Sequence, residues 1–265
     1  MAHSAAGDAD SKERFSSRVG AYRAFRPRYP STVLHVLQHQ CGLTSASVIA
    51  DVGAGTGILA ELFLQHGNSV FAVEPNREMR SACEQLGSRY PLLTPIDGCA
   101  EATTLPDRCA GIVTVGQALH WFSLEGARAE FVRILQPDGW CAVIYNERRM
   151  GGDAFHDGYE RILNEFGIDY ENVRAKYPQQ KKLAEFFNPK NGASAALRQS
   201  SVPNSQPFDF EGLLGRILSS SYMPQPGHPS YDGMLRAIEE LFAQCQAGGH
   251  VTLEYDCVIS YGRLA

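Results

Sequence analysis

No C-x-x-C pair occurs among the cysteines of this chain. They are seven, an odd number, and stand apart at Cys41, Cys83, Cys99, Cys109, Cys141, Cys245 and Cys257. That spacing supports neither a disulfide framework nor a zinc site, and free thiols in a reducing cytosol are the expectation. Long apolar runs are also missing: none approaches the roughly 18 residues of a membrane span, and the mean hydropathy is -0.23. Positive charge is in deficit. The 24 Lys and Arg against 29 Asp and Glu leave a net charge of -5, which argues against a general phosphate-tracking binder of nucleic acid. The segment Met1 to Arg14 lacks the apolar stretch of a secretory signal and reads as a disordered tail. The histidines outside the motifs below, including His35, His39 and His66, show no metal-ligand spacing, so no metal is expected.

What is present is a globular composition, 44% hydrophobic and 20% charged over 265 residues. That length holds one domain or at most two and buries a full core without staples. From Val48 to Tyr145, short β-rich runs alternate with longer helical patterns, the signature of a parallel α/β sheet. Strands are expected at Val48–Val52, Val70–Val73, Leu92–Ile96, Ile112–Val115 and Trp140–Tyr145. Pro95 cannot donate to a ladder and places the third strand at an edge. Helical spacing links Ile58, Leu59, Leu62, Phe63 and His66, with Gly67 at the cap, then Met79, Cys83 and Leu86, then Leu124, Ala127, Phe131 and Leu135. Pro137-Asp138-Gly139 reads as a turn into the fifth strand. Such doubly wound sheets bind ligands beyond the carboxyl ends of their strands, where strand order reverses.

After Asn146 the alternation lapses. Phe155, Tyr159, Ile162, Leu163 and Phe166 mark an amphipathic helix, and further helices fit Leu213–Ser219 and Tyr231–Cys245. The stretch Asn188 to Pro207, rich in Asn, Ser, Pro and Gly, reads as loops, and Val251 to Tyr261 as a long alternating strand in need of a partner. The expected organisation is a single domain over residues 15–265. Cap helices occupy about 15–42, and a helical lid lies at about 150–248.

Asp51-Val52-Gly53-Ala54-Gly55-Thr56-Gly57 lies between the first strand and its helix. Glycines suit a sharp turn with a ligand against the backbone, and the helix N-terminus beyond offers amides to a carboxylate or phosphate. Glu74 follows about twenty residues on, at the end of the second strand, placed to accept from both ribose hydroxyls. The combination fits two cofactor classes. A dinucleotide fingerprint needs G-x-G-x-x-G, and Ile58 occupies its last position here. A carboxylate at Asp51 repels a pyrophosphate but can organise amides or an ammonium, which favours a ligand with an amino-acid moiety.

Val48 to Gly57 resembles the first motif of class I S-adenosylmethionine-dependent methyltransferases, and Val73-Glu74-Pro75-Asn76 the second. Ala100-Glu101 with Leu105-Pro106-Asp107, Gln117 to Phe122, and Leu135 to Trp140 are similar to segments of the methyltransferase-11 type. The subgroup they resemble contains the trans-aconitate and cantharidin methyltransferases. Tyr22 and Arg26-Pro27-Arg28-Tyr29-Pro30 resemble that subgroup's N-terminal segment. The resemblance covers about Phe15 to Asn146.

It implies a Rossmann-like α/β fold: a seven-stranded, mostly parallel sheet with an antiparallel C-terminal strand and a helical lid. It implies S-adenosylmethionine as cofactor, with S-adenosylhomocysteine as product. Gly53, Gly55 and Gly57 would pass under the methionine part, with Asp51 holding the loop and the amino group. Glu74 would grip the ribose, and Pro75, Met79, Cys99 and Ala100 would surround the adenine. Tyr22, Arg26 and Gln117 complete the cofactor set. Cys99 stands where many relatives have Asp, and Gly111 where an Asp often begins the fourth strand.

His120 is the candidate general base, because imidazole titrates near neutrality. Arg26 offers a planar fork to the carboxylate of the cofactor or of a substrate. Trp121, Arg148 and Tyr222 are the candidate substrate contacts. The expectation is a cytoplasmic, metal-independent enzyme, monomer or homodimer, that methylates a small molecule. Its partners include no nucleic acid and no membrane. A carboxylate oxygen, already ionised at neutral pH, leads as acceptor. An NAD-dependent oxidoreductase and a non-catalytic S-adenosylmethionine-binding protein are the alternatives.

Overall fold

Strands buried on both faces need apolar residues at every position, and β1 (Val48–Val52) and β4 (Ala110–Gly116) have nearly that. With β2 (Ser69–Val73), β3 (Leu93–Ile96), β5 (Leu135–Arg148), β6 (Arg198–Phe208) and β7 (Val251–Gly262), they form a seven-stranded sheet in the order β3-β2-β1-β4-β5-β7-β6. Pairing is parallel from β3 to β5, and β7 runs antiparallel to both β5 and β6. The computed structural model describes residues 19–176, 180–187 and 197–264. The segment expected to be a tail, 1–14, lies outside them, as do residues 188–196 of the stretch expected to be loops.

Period-two alternation sends neighbouring strand residues to opposite layers. Ile49 and Ile112 pack with α2 (Thr32–Cys41), α3 (Ile58–Gln65) and α4 (Arg77–Glu84). Ala50 and Val113 instead meet α5 (Leu124–Ile134) and α8 (Gln180–Phe187). A third core lies farther out. There α6 (Ala154–Phe166), α9 (Phe210–Leu218) and α10 (Tyr231–Cys245) pack on Val251, Leu253 and Tyr255 of β7. The short α7 (Tyr170–Lys176) adds Tyr170 to this cluster. The N-terminal helix α1 (Val19–Phe25) rests on α9, where a Cβ at Gly215 would stand 2.4 Å from the Phe25 ring.

Two expectations need correction. Residues 198–208 are strand and not loop. β6 is an edge whose outer face is wet, so Ser, Asn and Gln alternate where apolar residues would advertise a strand, and Pro203 and Pro207 are tolerated there. The fifth strand also begins earlier than Trp140. Leu135 already pairs with Ala110, and Pro137-Asp138-Gly139 forms an irregularity before Trp140 pairs with Ile112.

Candidate active site

Strand order reverses between β1 and β4, and the carboxyl ends of β1, β2 and β4 open into one cleft. Its empty space is about 1460 Å³ counting the open mouth. Small-molecule sites typically measure roughly 300–1,000 Å³, so the cleft can take a nucleoside-sized ligand beside a second small molecule.

The floor is the turn after β1. Gly53 N–H and Ala54 N–H both donate to the Val73 carbonyl, at 2.9 and 3.1 Å, which ties the turn to the end of β2. Gly55 has φ +57, and a Cβ there would meet nothing within 4 Å. The glycine therefore leaves open a space that a side chain would fill. Gly57 serves a different purpose. It sits outside the cleft lining as the left-handed cap of α3, where a Cβ would stand 2.7 Å from Leu86 and 2.8 Å from the Cys83 sulfur.

Glu74 closes one wall. Its Oε2 accepts from Gly55 N–H and its Oε1 from Asn76 N–H, both at 2.8 Å. A carboxylate offers about four lone-pair positions, more than these two backbone donors use. Asn76 in turn caps α4, accepting from Met79 N–H at 2.9 Å, and so sets the helix that carries Met79 to the cleft. Pro75, Cys99 and Ala100 line the same wall. Burial pushes the Cys99 thiol up.

Asp51 is fully buried beneath the turn. Its Oδ1 accepts from the Thr114 hydroxyl at 2.9 Å, while Oδ2 has no hydrogen-bond partner among the described residues. Burial lifts this carboxyl to about 7; Thr114 and the backbone of Ala60 oppose the lift, and the charge of Glu74 adds to it. Arg26 lies 4.9 Å over the Tyr22 ring and donates to the Ser219 carbonyl at 3.1 Å, and its buried Nε has no partner among the described residues. Gln117 adopts φ +56 and donates to the Asn146 carbonyl at 3.2 Å, and its buried Oε1 likewise has no partner among the described residues. One cationic donor, one acidic acceptor, one amide acceptor and the Thr56 hydroxyl thus have no partner among the described residues around a single cleft. Buried polar atoms without partners are costly, so this set is suited to a zwitterionic ligand.

The opposite rim follows β4. His120 and Trp121 stand on a short 3-10 turn, with ring centroids 4.7 Å apart. His120 Nδ1 lies 3.1 Å from the Tyr145 hydroxyl, which fixes the ring from behind. Tyr222 arrives from beyond α9 and stacks on Tyr170 at 5.0 Å.

Of the residues singled out in the sequence, Tyr22, Arg26, Asp51, Gly53, Gly55, Glu74, Pro75, Met79, Cys99, Ala100, Gln117, His120, Trp121 and Tyr222 line this cleft. Arg148 does not. It pairs with Glu160, donates to the Tyr170 hydroxyl at 3.1 Å and covers the Tyr159 ring at 4.8 Å. The structure adds Tyr29, Asn76, Glu101, Val173 and Ser221 to the lining. Tyr29 belongs to the Arg26–Pro30 segment already noted; Val173 and Ser221 carry no local signal. Among the described residues no cluster of His, Cys, Asp and Glu has the makings of a metal site, and no helix is long and apolar enough to cross a membrane.

Residues 50–143 match a family model described as a methyltransferase domain. An uncharacterized methyltransferase of Mycobacterium bovis is 35% identical over 134 residues, covering 51% of this chain and 52% of the relative. One of Schizosaccharomyces pombe is 31% identical over 135 residues, covering 51% and 53%. The chain thus spans about half the length of the curated relatives it matches. Among solved structures, one provisionally assigned as a type II methyltransferase from Anaeromyxobacter dehalogenans superposes with TM-score 0.67 at 19% identity. That superposition covers 91% of this chain and 99% of the other. A Haemonchus contortus phosphoethanolamine N-methyltransferase, solved with phosphomonomethylethanolamine and S-adenosylhomocysteine, superposes with TM-score 0.55 at 14% identity, covering 96% of this chain and 58% of its own. At such identities these structures share the fold. The sheet and the cleft at its switch point are of the Rossmann-like kind that these solved methyltransferases share, and within it residues 50–143 resemble a methyltransferase domain.

Proposed function

We propose that the protein transfers the methyl group of S-adenosylmethionine to a small-molecule acceptor, with a carboxylate oxygen as the receiving atom. One observation carries the cofactor assignment. Among the described residues, Arg26 Nε, Asp51 Oδ2 and Gln117 Oε1 have no hydrogen-bond partner around the turn that Glu74 closes. In this reading the Arg26 fork takes the cofactor carboxylate and Asp51 its ammonium. Glu74 accepts from the ribose hydroxyls, and Pro75, Met79, Cys99 and Ala100 enclose the adenine. The open space at Gly55 lets the ligand lie against backbone.

When bound, the cofactor supplies an activated methyl group on a sulfonium. The chain's own task is then to hold an acceptor in line with that methyl and to exclude water, and positioning of this kind supplies much of a barrier reduction. His120, steadied by Tyr145, and Trp121 form the wall that orients the acceptor. A carboxylate is ionised at neutral pH and needs no proton removed, so His120 acts as a contact for this acceptor class. The protein works in the cytoplasm as a monomer or homodimer in this reading.

Calorimetry with S-adenosylmethionine and NAD in parallel tests the cofactor, and S-adenosylhomocysteine formation with a metabolite extract tests turnover. Saturable binding of the sulfonium compound alone, with turnover, is the expected result. Binding of NAD in its place would refute the assignment; binding without turnover in any extract would leave a ligand-binding protein instead of an enzyme.

A further inference from the structure

The outer helical core buries two arginines against one carboxylate. Arg148 has Glu160. Arg216, in the last turn of α9, is 6% exposed and has no carboxylate partner among the described residues. Its Nε donates to the Tyr255 hydroxyl at 3.4 Å and its Nη1 to the Ser220 hydroxyl at 3.2 Å. The other polar rings around it are those of Tyr159 and Tyr222. A guanidinium keeps its charge at any accessible pH, and burying one without a counter-ion is expensive. Among the described residues no carboxylate offsets the Arg216 charge.

That charge sits beside the cleft. Ser219 and Ser220 connect α9 to Ser221 and Tyr222, which line it. The wall there is braced, because Tyr222 stacks on Tyr170 and the Tyr170 hydroxyl donates to Glu160 at 3.0 Å. Arg26 lines the cleft itself and is spoken for by the cofactor carboxylate in the reading above. Arg216 is not.

Building on that reading, we propose that the acceptor carries an oxyanion, a carboxylate or a phosphate, bound at the Ser221–Tyr222 end of the cleft, and that Arg216 is the positioning residue whose charge selects it. A buried positive charge one residue behind a polar wall favours an anion on the other side and disfavours amines and neutral isosteres.

A metabolite extract separated on an anion exchanger, with each fraction supplied with S-adenosylmethionine, tests this. The methyl acceptor is expected in the retained fraction. Phosphatase treatment of that fraction distinguishes the two oxyanions, since a carboxylic acceptor survives it and a phosphate ester does not. With that fraction, Arg216→Gln is expected to raise KM by about tenfold or more, with KM rising more than kcat falls. Arg216→Lys restores most of the loss, and the affinity for S-adenosylhomocysteine stays within about twofold in both. Should Arg216→Gln fail to fold, Tyr255→Phe, which removes the hydroxyl that aims the guanidinium, is expected to raise KM in the same selective way. Turnover confined to the unretained fraction overturns the proposal, as does an unchanged KM in the folded variant. Cofactor binding without turnover in any fraction overturns the methyl-transfer reading, and this inference with it.

Discussion

Replacing Asp51 by Asn tests the cradle through the protein's own titration. Burial lifts this carboxyl from 3.8 to about 7. One pH unit of such displacement is worth about 1.36 kcal/mol, so ionised Asp51 costs the ligand-free fold about 4 kcal/mol at pH 8. The direction follows from proton counts. Between pH 4 and 7 the unfolded chain has released the Asp51 proton while the folded one retains it. Stability is therefore greatest below the unfolded value and falls as pH rises through the folded one. Asn carries no charge, and its Oδ1 can still accept from Thr114. Urea melts of wild type and Asp51→Asn at pH 4 to 8 are expected to diverge, from near equality at the acid end to about 4 kcal/mol in favour of the variant at pH 8. A difference that stays constant with pH would refute the titration. A second arm uses S-adenosylhomocysteine. Its ammonium pairs best with the ionised carboxylate, so wild-type affinity is expected to rise through pH 7 and that of Asp51→Asn to stay flat. Parallel affinity profiles would remove Asp51 from the ammonium while leaving its burial intact.

Glu74→Ala is expected to weaken S-adenosylhomocysteine binding by about 1–3 kcal/mol by calorimetry, the cost of unpaired buried groups; unchanged affinity would refute the ribose placement. Arg26→Met is expected to weaken cofactor binding by tenfold or more, about 1.4 kcal/mol, with little change in Tm, and equal kinetics at equal stability would reject it as the carboxylate fork. Gly57→Ala is expected to destabilise the fold by about 1–3 kcal/mol through overpacking against Leu86 and Cys83, read by denaturant melts. A neutral outcome there would mean that α4 yields more easily than its packing suggests.

Much of the sheet was legible because parallel strands buried on both faces leave apolar runs, and β1, β2 and β4 are each followed by a helix with a 3.6-residue rhythm. Val48–Val52 coincides with β1, and Pro95 does mark an edge. The cleft was legible for a related reason: the turn after β1 and the acid ending β2 are local in sequence and adjacent in space. β6 was hidden because an edge strand pairs through backbone alone, and its side chains of Ser, Asn, Gln and Pro carry the composition of a loop. Arg148, a candidate substrate contact by sequence, ends β5 and lies outside the cleft lining. Its partner Glu160 stands a full turn inside α6, and nothing in the local sequence says which way the arginine turns. Arg216 was missed altogether, since a lone arginine in an amphipathic helix looks like a solvated one until the tyrosines around it are in place.

The two ends of the cleft are thus specified by different kinds of sequence. The cofactor end is built from strand termini, whose positions follow from the sheet, so its residues recur at spacings a reader can recognise. The other end is built by helices inserted between β5 and β7, whose packing is long-range, and there the chemistry rests on what was left unpaired. The two are nevertheless mechanically joined. Arg26 donates to Ser219, at the corner that carries Ser221 and Tyr222, and Phe25 packs on the bare backbone of Gly215 one residue before Arg216. A shift of α1 on cofactor binding would therefore move the wall against which the acceptor lies. In the proposed reading, with Arg26 on the cofactor carboxylate, such a linkage favours ordered binding with the cofactor first.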